Sequence, residues 1–382
     1  MKPPAILSVS LALTLGAAEA YAQAGVTDQA PPRDLPAFWK AGLPDVETEI
    51  QSVEKGRVET IAVSPGGRSV KAVAYGEPDD LRSQANYNSA CGGRDPAAYA
   101  RKTKENKPVI LLVGPVHGQE IENTVGLLNL IRVAETGSDW RGKEWPRLAG
   151  NIEKCRVLII PSANPDGRAR CPYDGWVGVP RPIMTKFGQG TRKDGSLYGW
   201  PDCKRVHPMA GDIGILGAYY NDDGINPMHD EFFGYMAEET KAVIEVARIE
   251  APDFAVSLHS HGNSPAVLEP MYVAKFIKER VRQFAEGLMA RYREKDLPAG
   301  RPPSISEDGE AFPPPSFNLV SALHHVCGAA SFTFECCHGI TGDESYPQVT
   351  FDEILDIQLM LYDELLQFAL ENPVQWVREE KP

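Results

Sequence analysis

Four unbroken apolar runs constrain this chain more than any other feature. They are "VILLVG" (109–114), "RVLIIPS" (156–162), "DFAVSLHSHG" (253–262) and "AASFTFECC" (329–337). A strand without polar alternation is buried on both faces, as in the centre of a sheet covered by helices on each side. Helical repeats stand between these runs. "EIENTVGLLNLIRVAE" carries Ile121, Val125, Leu128 and Ile131 at helical spacing. "DEFFGYMAEETKAVIEVARIE", "VAKFIKERVRQFAEGLMARYRE" and "FDEILDIQLMLYDELLQFAL" read as further helices, and "RVETIAVSPGGRSVKAVAYGE" as two strands around a PGG turn. The alternation predicts an α/β sandwich with a mainly parallel central sheet. Its site should lie beyond the carboxyl ends of the strands.

The 382 residues suffice for one large domain or two small ones. Neither a linker nor an internal repeat breaks the alternation, so one domain over 56–375 is expected, preceded by a Pro-containing surface lead-in at 25–55. Residues 1–24 stand apart. Lys2 precedes the apolar run "AILSVSLALTLGAA", and Ala22 and Ala24 occupy the small-residue positions before a cut. That is the pattern of a secretory signal peptide cleaved after Ala24, and the apolar run is short for a membrane span. The expected product is a secreted or periplasmic protein without membrane insertion. A formal net charge of −13 argues against nucleic acid and anionic membranes as partners. Seven cysteines leave at least one unpaired thiol, and the lack of Cys-x-x-Cys disfavours a cysteine zinc cage. Export permits disulfides, and a Cys171–Cys203 bridge would close the long central loop. That loop, 164–228, is rich in Gly, Pro, Asp and Arg and has little periodicity. A loop so long inside a compact domain is often functional.

Four polar residues sit at or just past the ends of the apolar strands. They are His117 and Glu120 in "GPVHGQE", His259 in "SLHSHG" and Glu335 in "SFTFECC". Alone, His117 fits an ordinary loop histidine and Glu120 a first-turn helix carboxylate favoured by the helix dipole. Together they ask for more, because a carboxylate closing an apolar strand must be paired, protonated or metal-bound. Two His and one Glu form the ligand set of a catalytic zinc that keeps its fourth position open. His-x-x-Glu puts two ligands on one turn, and the third follows 259 − 120 = 139 residues later. Glu335 is then the natural general base for an attacking water. The pattern is not the helical His-Glu-x-x-His of another zinc class.

With these residues in view, the chain resembles the M14 zinc metallocarboxypeptidases, the funnelin-type peptidases. "SPGGRSVKAVAYG" is similar to the family's N-terminal hairpin, "GPVHGQE" to its first zinc motif, and "PSANPDG" to its Pro-x-x-Asn-Pro-Asp-Gly stretch. "SLHSHG" and "FTFE" resemble the segments with the second zinc His and the catalytic Glu. The resemblance spans roughly 57–370. It implies a three-layer α/β/α sandwich with a mixed, mostly parallel twisted central sheet. It implies one Zn2+ per chain on His117, Glu120 and His259, with Glu335 as general base and acid. The family also polarises the scissile carbonyl with an arginine after Asn-Pro-Asp-Gly, and "GTRKDG" offers Arg192 for that role.

Two departures stand out. Where the family holds the substrate's terminal carboxylate with an Asn-Arg pair, "INPMHDEFF" has Met228 and His229. Where it has a mobile tyrosine upstream of the catalytic Glu, this chain has His324, with His325 beside it. His229 and His324 become the substrate-binding candidates. His229 lacks the planar Arg fork that clamps a carboxylate. A free substrate carboxylate should then gain little, unless Arg168, Arg170, Arg181 or Arg205 takes it over. Among lesser features, His261 would face the same side as His259. "GDIGILG" follows no strand and lacks the ending of a phosphate cradle, and "PPPS" (313–316) reads as a rigid rim loop.

The leading expectation is a monomeric, exported M14-type zinc hydrolase that cleaves an amide bond in a peptide or peptide-like substrate. The rivals are an amidase or deacylase acting on a small N-acyl compound and a non-catalytic binding protein on the same fold.

Overall fold

Alternate residues of the first apolar run enter different cores. Ile110 and Leu112 join one, while Val109, Leu111 and Val113 join the other. In "RVLIIPS", Val157 and Ile159 likewise part from Leu158 and Ile160. This is the pleat of a strand covered on both faces. The computed structural model describes residues 34–103, 105–305 and 312–373, so the signal-peptide reading of 1–24 lies outside the described residues.

In chain order the elements are α1 (Leu43–Gln51), β1 (Arg57–Val63), β2 (Ser69–Tyr75), α2 (Tyr87–Gly92), β3 (Val109–Val113), α3 (Ile121–Thr136), α4 (Pro146–Lys154), β4 (Arg156–Ile160), α5 (Pro165–Arg170) and α6 (Arg181–Gly188). They continue with α7 (Glu238–Glu250), β5 (Phe254–His261), β6 (Ala266–Leu268), α8 (Lys275–Glu294), α9 (Leu319–Cys327), β7 (Ala330–Cys337) and α10 (Phe351–Glu371). The strands form one seven-stranded sheet in the order β1-β2-β4-β3-β5-β7-β6. Helices α3, α4, α8 and α10 cover one face, and α2, α7 and α9 the other. The three-layer mixed sandwich is therefore as expected.

The parallel pairings are confined to the middle of the sheet, at β4–β3, β3–β5 and β5–β7. The flanks are antiparallel, because the β1–β2 hairpin turns tightly at 64–67 and the short β6 folds back along β7. The order also creates a switch point. β4 lies on one side of β3 and β5 on the other, so a crevice opens at the carboxyl ends of β3 and β5, where α/β proteins bind ligands.

Three local readings change. Residues 38–50 are not a surface lead-in, since Phe38, Trp39, Val46 and Ile50 are buried in the main core and Trp39 packs edge-on against Phe351. The helix expected from Asp230 begins only at Glu238, because the Asp230 carboxylate accepts from Glu231 N and Ala237 N and closes a loop instead. All seven cysteines are free, Cys171 and Cys203 included.

Candidate metal centre

His117 lies just beyond β3, Glu120 directly precedes α3, and His259 sits near the end of β5. The three meet. His117 Nδ1 is 2.8 Å from Glu120 Oε1 and 3.2 Å from His259 Nδ1. Glu120 Oε2 is 2.9 Å from His259 Nδ1. The far ring nitrogens are held from behind. His117 Nε2 is 3.1 Å from Asn226 Oδ1, an oxygen that also accepts from Met228 N. This fixes the His117 proton on Nε2 and leaves the Nδ1 lone pair aimed at the cluster. His259 Nε2 is 2.9 Å from Ser257 Oγ. Such outer partners orient metal-ligating imidazoles.

All three residues are buried, and their donor atoms lie within 4.8 Å of one another. A tetrahedral zinc with bonds near 2.0–2.1 Å would space two nitrogens by about 3.3 Å, close to the separation of the two Nδ1 atoms. The donor set fits that metal. Electrostatics favours an ionised Glu120 and a neutral His117. Burial alone would raise Glu120, but His117 and His259 outweigh it and bring the carboxyl down to about 2. Burial pulls His117 down, which favours the neutral ring a metal needs. At His259 burial acts the same way, but Glu120 outweighs it and raises the ring.

Glu335 joins the cluster through sheet register. On β5 and β7, Ser257 pairs with Thr333, His259 with Glu335 and His261 with Cys337. His259 and Glu335 thus project from one face of adjacent strands. No hydrogen bond or ion pair among the described residues holds the Glu335 carboxylate. The cluster and Glu335 line a cavity of about 700 Å3 whose walls also include Arg181, Lys204, Tyr219, Met228 and His229. Tyr219 stacks on His117 with ring centroids 3.5 Å apart. Arg181, Lys204, Tyr219 and Met228 come from the long 164–228 segment, which therefore supplies part of the cavity wall.

The motifs around the cluster act as scaffolding. A Cβ on Gly118 would lie 2.1 Å from Arg168 N and 2.2 Å from Gly167 C. Only glycine lets the His117 turn lie against the Asn-Pro-Asp-Gly turn. Asn164 closes that contact: its Nδ2 donates to Val116 O, and its Oδ1 accepts from Gly167 N. Asp166, fully buried, ties in the β1–β2 hairpin by accepting from Ser64 Oγ, Gly66 N, Arg68 Nη1 and Asp222 N. The Gly-Arg of "SPGGR" thus acts on the site through Asp166.

The other candidates separate. His229 lines the cavity. Arg192 is not among the residues lining it. Its guanidinium bonds to Leu197 O, pairs with Asp202 and lies over the Tyr198 ring. "GDIGILG" packs against the backbone at Thr191 and Arg192, and a Cβ on Gly214 would lie 2.4 Å from Arg192 O. His324 is also outside the cavity wall. Its Nδ1 is 2.9 Å from Ala329 O, its ring meets Tyr87 edge-on, and burial pushes its pKa down to about 4. Arg168 is buried against Ala41 O, Cys171 O and Asp174, Arg170 binds Asp222 and Tyr220 O, and Arg205 pairs with Asp202. Of the four arginines considered, Arg181 lines the cavity.

Several site residues had no usable signal in the sequence. Asn226 and Lys204 come from the aperiodic loop. His207 Nε2 accepts from Asn226 N and so steadies the residue behind His117. His338, another wall residue, has its Nδ1 3.2 Å from the buried Glu122. Ser257 was the accessible one, because it stands two residues before His259 on the same strand face.

An α/β/α sandwich with a buried His–Glu–His cluster and a free carboxylate beside it, at the carboxyl ends of parallel strands, is the outline of a metal-dependent hydrolase. The chain belongs to the zinc carboxypeptidase family, peptidase M14, whose sequence model matches residues 48–285. Its members are zinc-dependent hydrolytic enzymes. No curated protein matches the chain by sequence. Among solved structures it is similar to a metallo-carboxypeptidase from Burkholderia cenocepacia, with TM-score 0.52, 12% identity, 85% of this chain and 67% of that one covered. It is similar to a putative carboxypeptidase A from Shewanella denitrificans, with TM-score 0.51, 14% identity and coverages of 85% and 68%. It is also similar to carboxypeptidase A from Helicoverpa armigera, with TM-score 0.50, 14% identity and coverages of 94% and 81%. At such identities the likeness concerns the fold. The chain spans about two thirds of the two bacterial chains.

Proposed function

We propose that the protein is a zinc-dependent peptidase that cleaves an amide bond in a peptide or peptide-like substrate, with Glu335 as general base. One observation carries this reading. His117 Nδ1, His259 Nδ1 and the Glu120 carboxylate converge in a cavity beside a second carboxylate, Glu335, that no hydrogen bond or ion pair among the described residues holds. Zinc held by His117, Glu120 and His259 would supply Lewis-acid polarisation of the carbonyl and a more acidic water. Glu335 takes a proton from the attacking water and returns it to the departing amine. Asn226 keeps the His117 ring in the required tautomer, and Ser257 orients the His259 ring. The amino-terminal pattern of 1–24 supports a secreted or periplasmic enzyme, and a monomer is the simplest state. A second reading, an amidase acting on small N-acyl compounds, is favoured by Met228 and His229 standing where the family has its carboxylate clamp.

The test is incubation of the zinc-loaded protein with a mixed library of peptides and N-acyl amino acids, with products identified by mass spectrometry. Chelator-sensitive peptide cleavage is expected. Cleavage of N-acyl amino acids alone would favour the second reading, and no product from either group would overturn both.

A further inference from the structure

An anion entering this cavity meets one ammonium that no carboxylate among the described residues pairs with. Lys204 ends the short helical turn Asp202–Lys204. That turn is fixed from beneath, because Cys203 is buried and its carbonyl accepts from the Tyr220 hydroxyl. Lys204 therefore enters the cavity from an anchored backbone. Its neighbours Arg192 and Arg205 both pair with Asp202, whereas no carboxylate among the described residues pairs with Lys204. Its Nζ lies 2.9 Å from His229 Nε2, and His229 Nδ1 lies 3.1 Å from Ser316 Oγ.

An ammonium can only donate. His229 must accept at Nε2, carry its own proton on Nδ1 and donate it to the Ser316 hydroxyl. It is neutral: burial and the nearby Lys204 push it down to about 3. His229 is thus a tether for the lysine, and two N–H groups of the ammonium remain for the cavity. Lys204 lies within electrostatic reach of Glu335 and Glu120, so its charge acts on the metal side of the cavity. Arg181, the other Lys or Arg side chain among the described wall residues, is exposed and sits in the field of Asp343.

We propose, resting on the peptidase reading above, that Lys204 is the specificity-determining cation of this site. It receives a carboxylate that flanks the scissile amide, and His229 and Ser316 position it. A single ammonium is a point charge, whereas a guanidinium fork selects a planar, bidentate partner. The carboxylate is therefore read by charge with loose geometry, and moving it by one methylene is tolerated.

The test compares kcat/KM for N-acyl dipeptides that differ only in ending as acid or amide, in wild type, Lys204→Met, Lys204→Arg and His229→Ala. Wild type should prefer the acid roughly ten- to hundredfold, the range of a hydrogen bond to a charged group. Lys204→Met should bring acid and amide within about threefold, chiefly through KM for the acid, and Lys204→Arg should keep most of the preference. His229→Ala should give an intermediate ratio, and a substrate ending in a β-amino acid should still be preferred as the acid by wild type. Equal rates for acid and amide in wild type, or an undiminished acid preference in Lys204→Met, would overturn the proposal. If wild type turns over no substrate, the peptidase reading fails separately. Calorimetric binding of N-acetyl amino acids and their amides then decides the role of Lys204. Acid-selective binding that Lys204→Met abolishes supports it, and binding that the variant retains or wild type lacks overturns it.

Discussion

His259 and Glu335 are direct partners across adjacent parallel strands. The ring that completes the His117–Glu120–His259 cluster and the carboxylate beside it are therefore placed on one sheet face by register alone. A shift of one residue on β7 would turn Glu335 to the opposite face, so the hydrogen bonds that fix β5 against β7 also fix the site.

This placement predicts a clean separation of roles for Glu335. Glu335→Gln keeps the shape, and no ion pair among the described residues is lost. Zinc content and melting temperature should match wild type, while turnover falls at least ~100-fold, the lower scale of general-base catalysis. Steady-state kinetics beside elemental analysis measures both. Near-normal turnover would mean that another group accepts the proton, and His338 in the same wall would be examined first.

The cluster itself predicts metal loss on removal of either ring. His117→Ala and His259→Ala each delete one of the three proposed ligands from a site whose coordination free energy would be on the order of 10 kcal/mol. Each variant should lose most of its zinc on dialysis, while far-ultraviolet circular dichroism stays close to wild type. One zinc per chain retained by both would refute the assignment.

Some of this was legible in the sequence. The buried central strands announced themselves by lacking polar residues, and Glu120, His259 and Glu335 were conspicuous because a charge or imidazole at such a strand end needs a reason. What escaped was set by tertiary contact. Lys204, Asn226 and Tyr219 lie in an aperiodic loop, where nothing local tells a wall residue from a solvated one. Arg192 and His324 stood at suitable distances along the chain, but a distance along the chain does not fix a direction in space. The arginine folded onto Tyr198 and Asp202, and the histidine bonded to Ala329 O. Residues 38–50 looked like a lead-in because Trp39 and Ile50 find their partners only far along the chain.

The buttress under the His117 turn predicts a pH-dependent stability. Burial alone would raise Asp166, but Ser64, Gly66, Arg68 and Asp222 outweigh it and hold the carboxyl below its ordinary value of 3.8. A carboxyl lowered in the folded state stabilises fully above that ordinary value, and the contribution is lost as pH falls through the folded value. Asp166→Asn should therefore cost about 2 kcal/mol at pH 7. That lies within the range for hydrogen bonds to a charged group, kept modest because Arg68 is itself partly open to solvent. The gap between wild type and variant should close as pH falls below about 4. Urea unfolding of chelator-treated proteins at pH 7 and pH 3 checks this. An unchanged gap would show that the charge of Asp166 contributes nothing.

Arg192 gives the sharpest contrast between chain position and spatial position. If its guanidinium polarised the scissile carbonyl, removing it would cost about 10²–10³ in kcat, as loss of an oxyanion donor does. It is instead engaged by Leu197 O, Asp202 and the face of Tyr198, and it is not among the residues that line the cavity. Arg192→Ala should then lower kcat less than about tenfold, with the loss traceable to a slackened loop. It should also leave the acid-to-amide preference unchanged, because Lys204 keeps its tether to His229. Measuring kcat and KM for the Arg192→Ala variant on the acid and amide pair decides the matter. A fall in kcat of a hundredfold or more at constant KM would mean that the loop carrying Arg192 swings into the cavity when substrate binds.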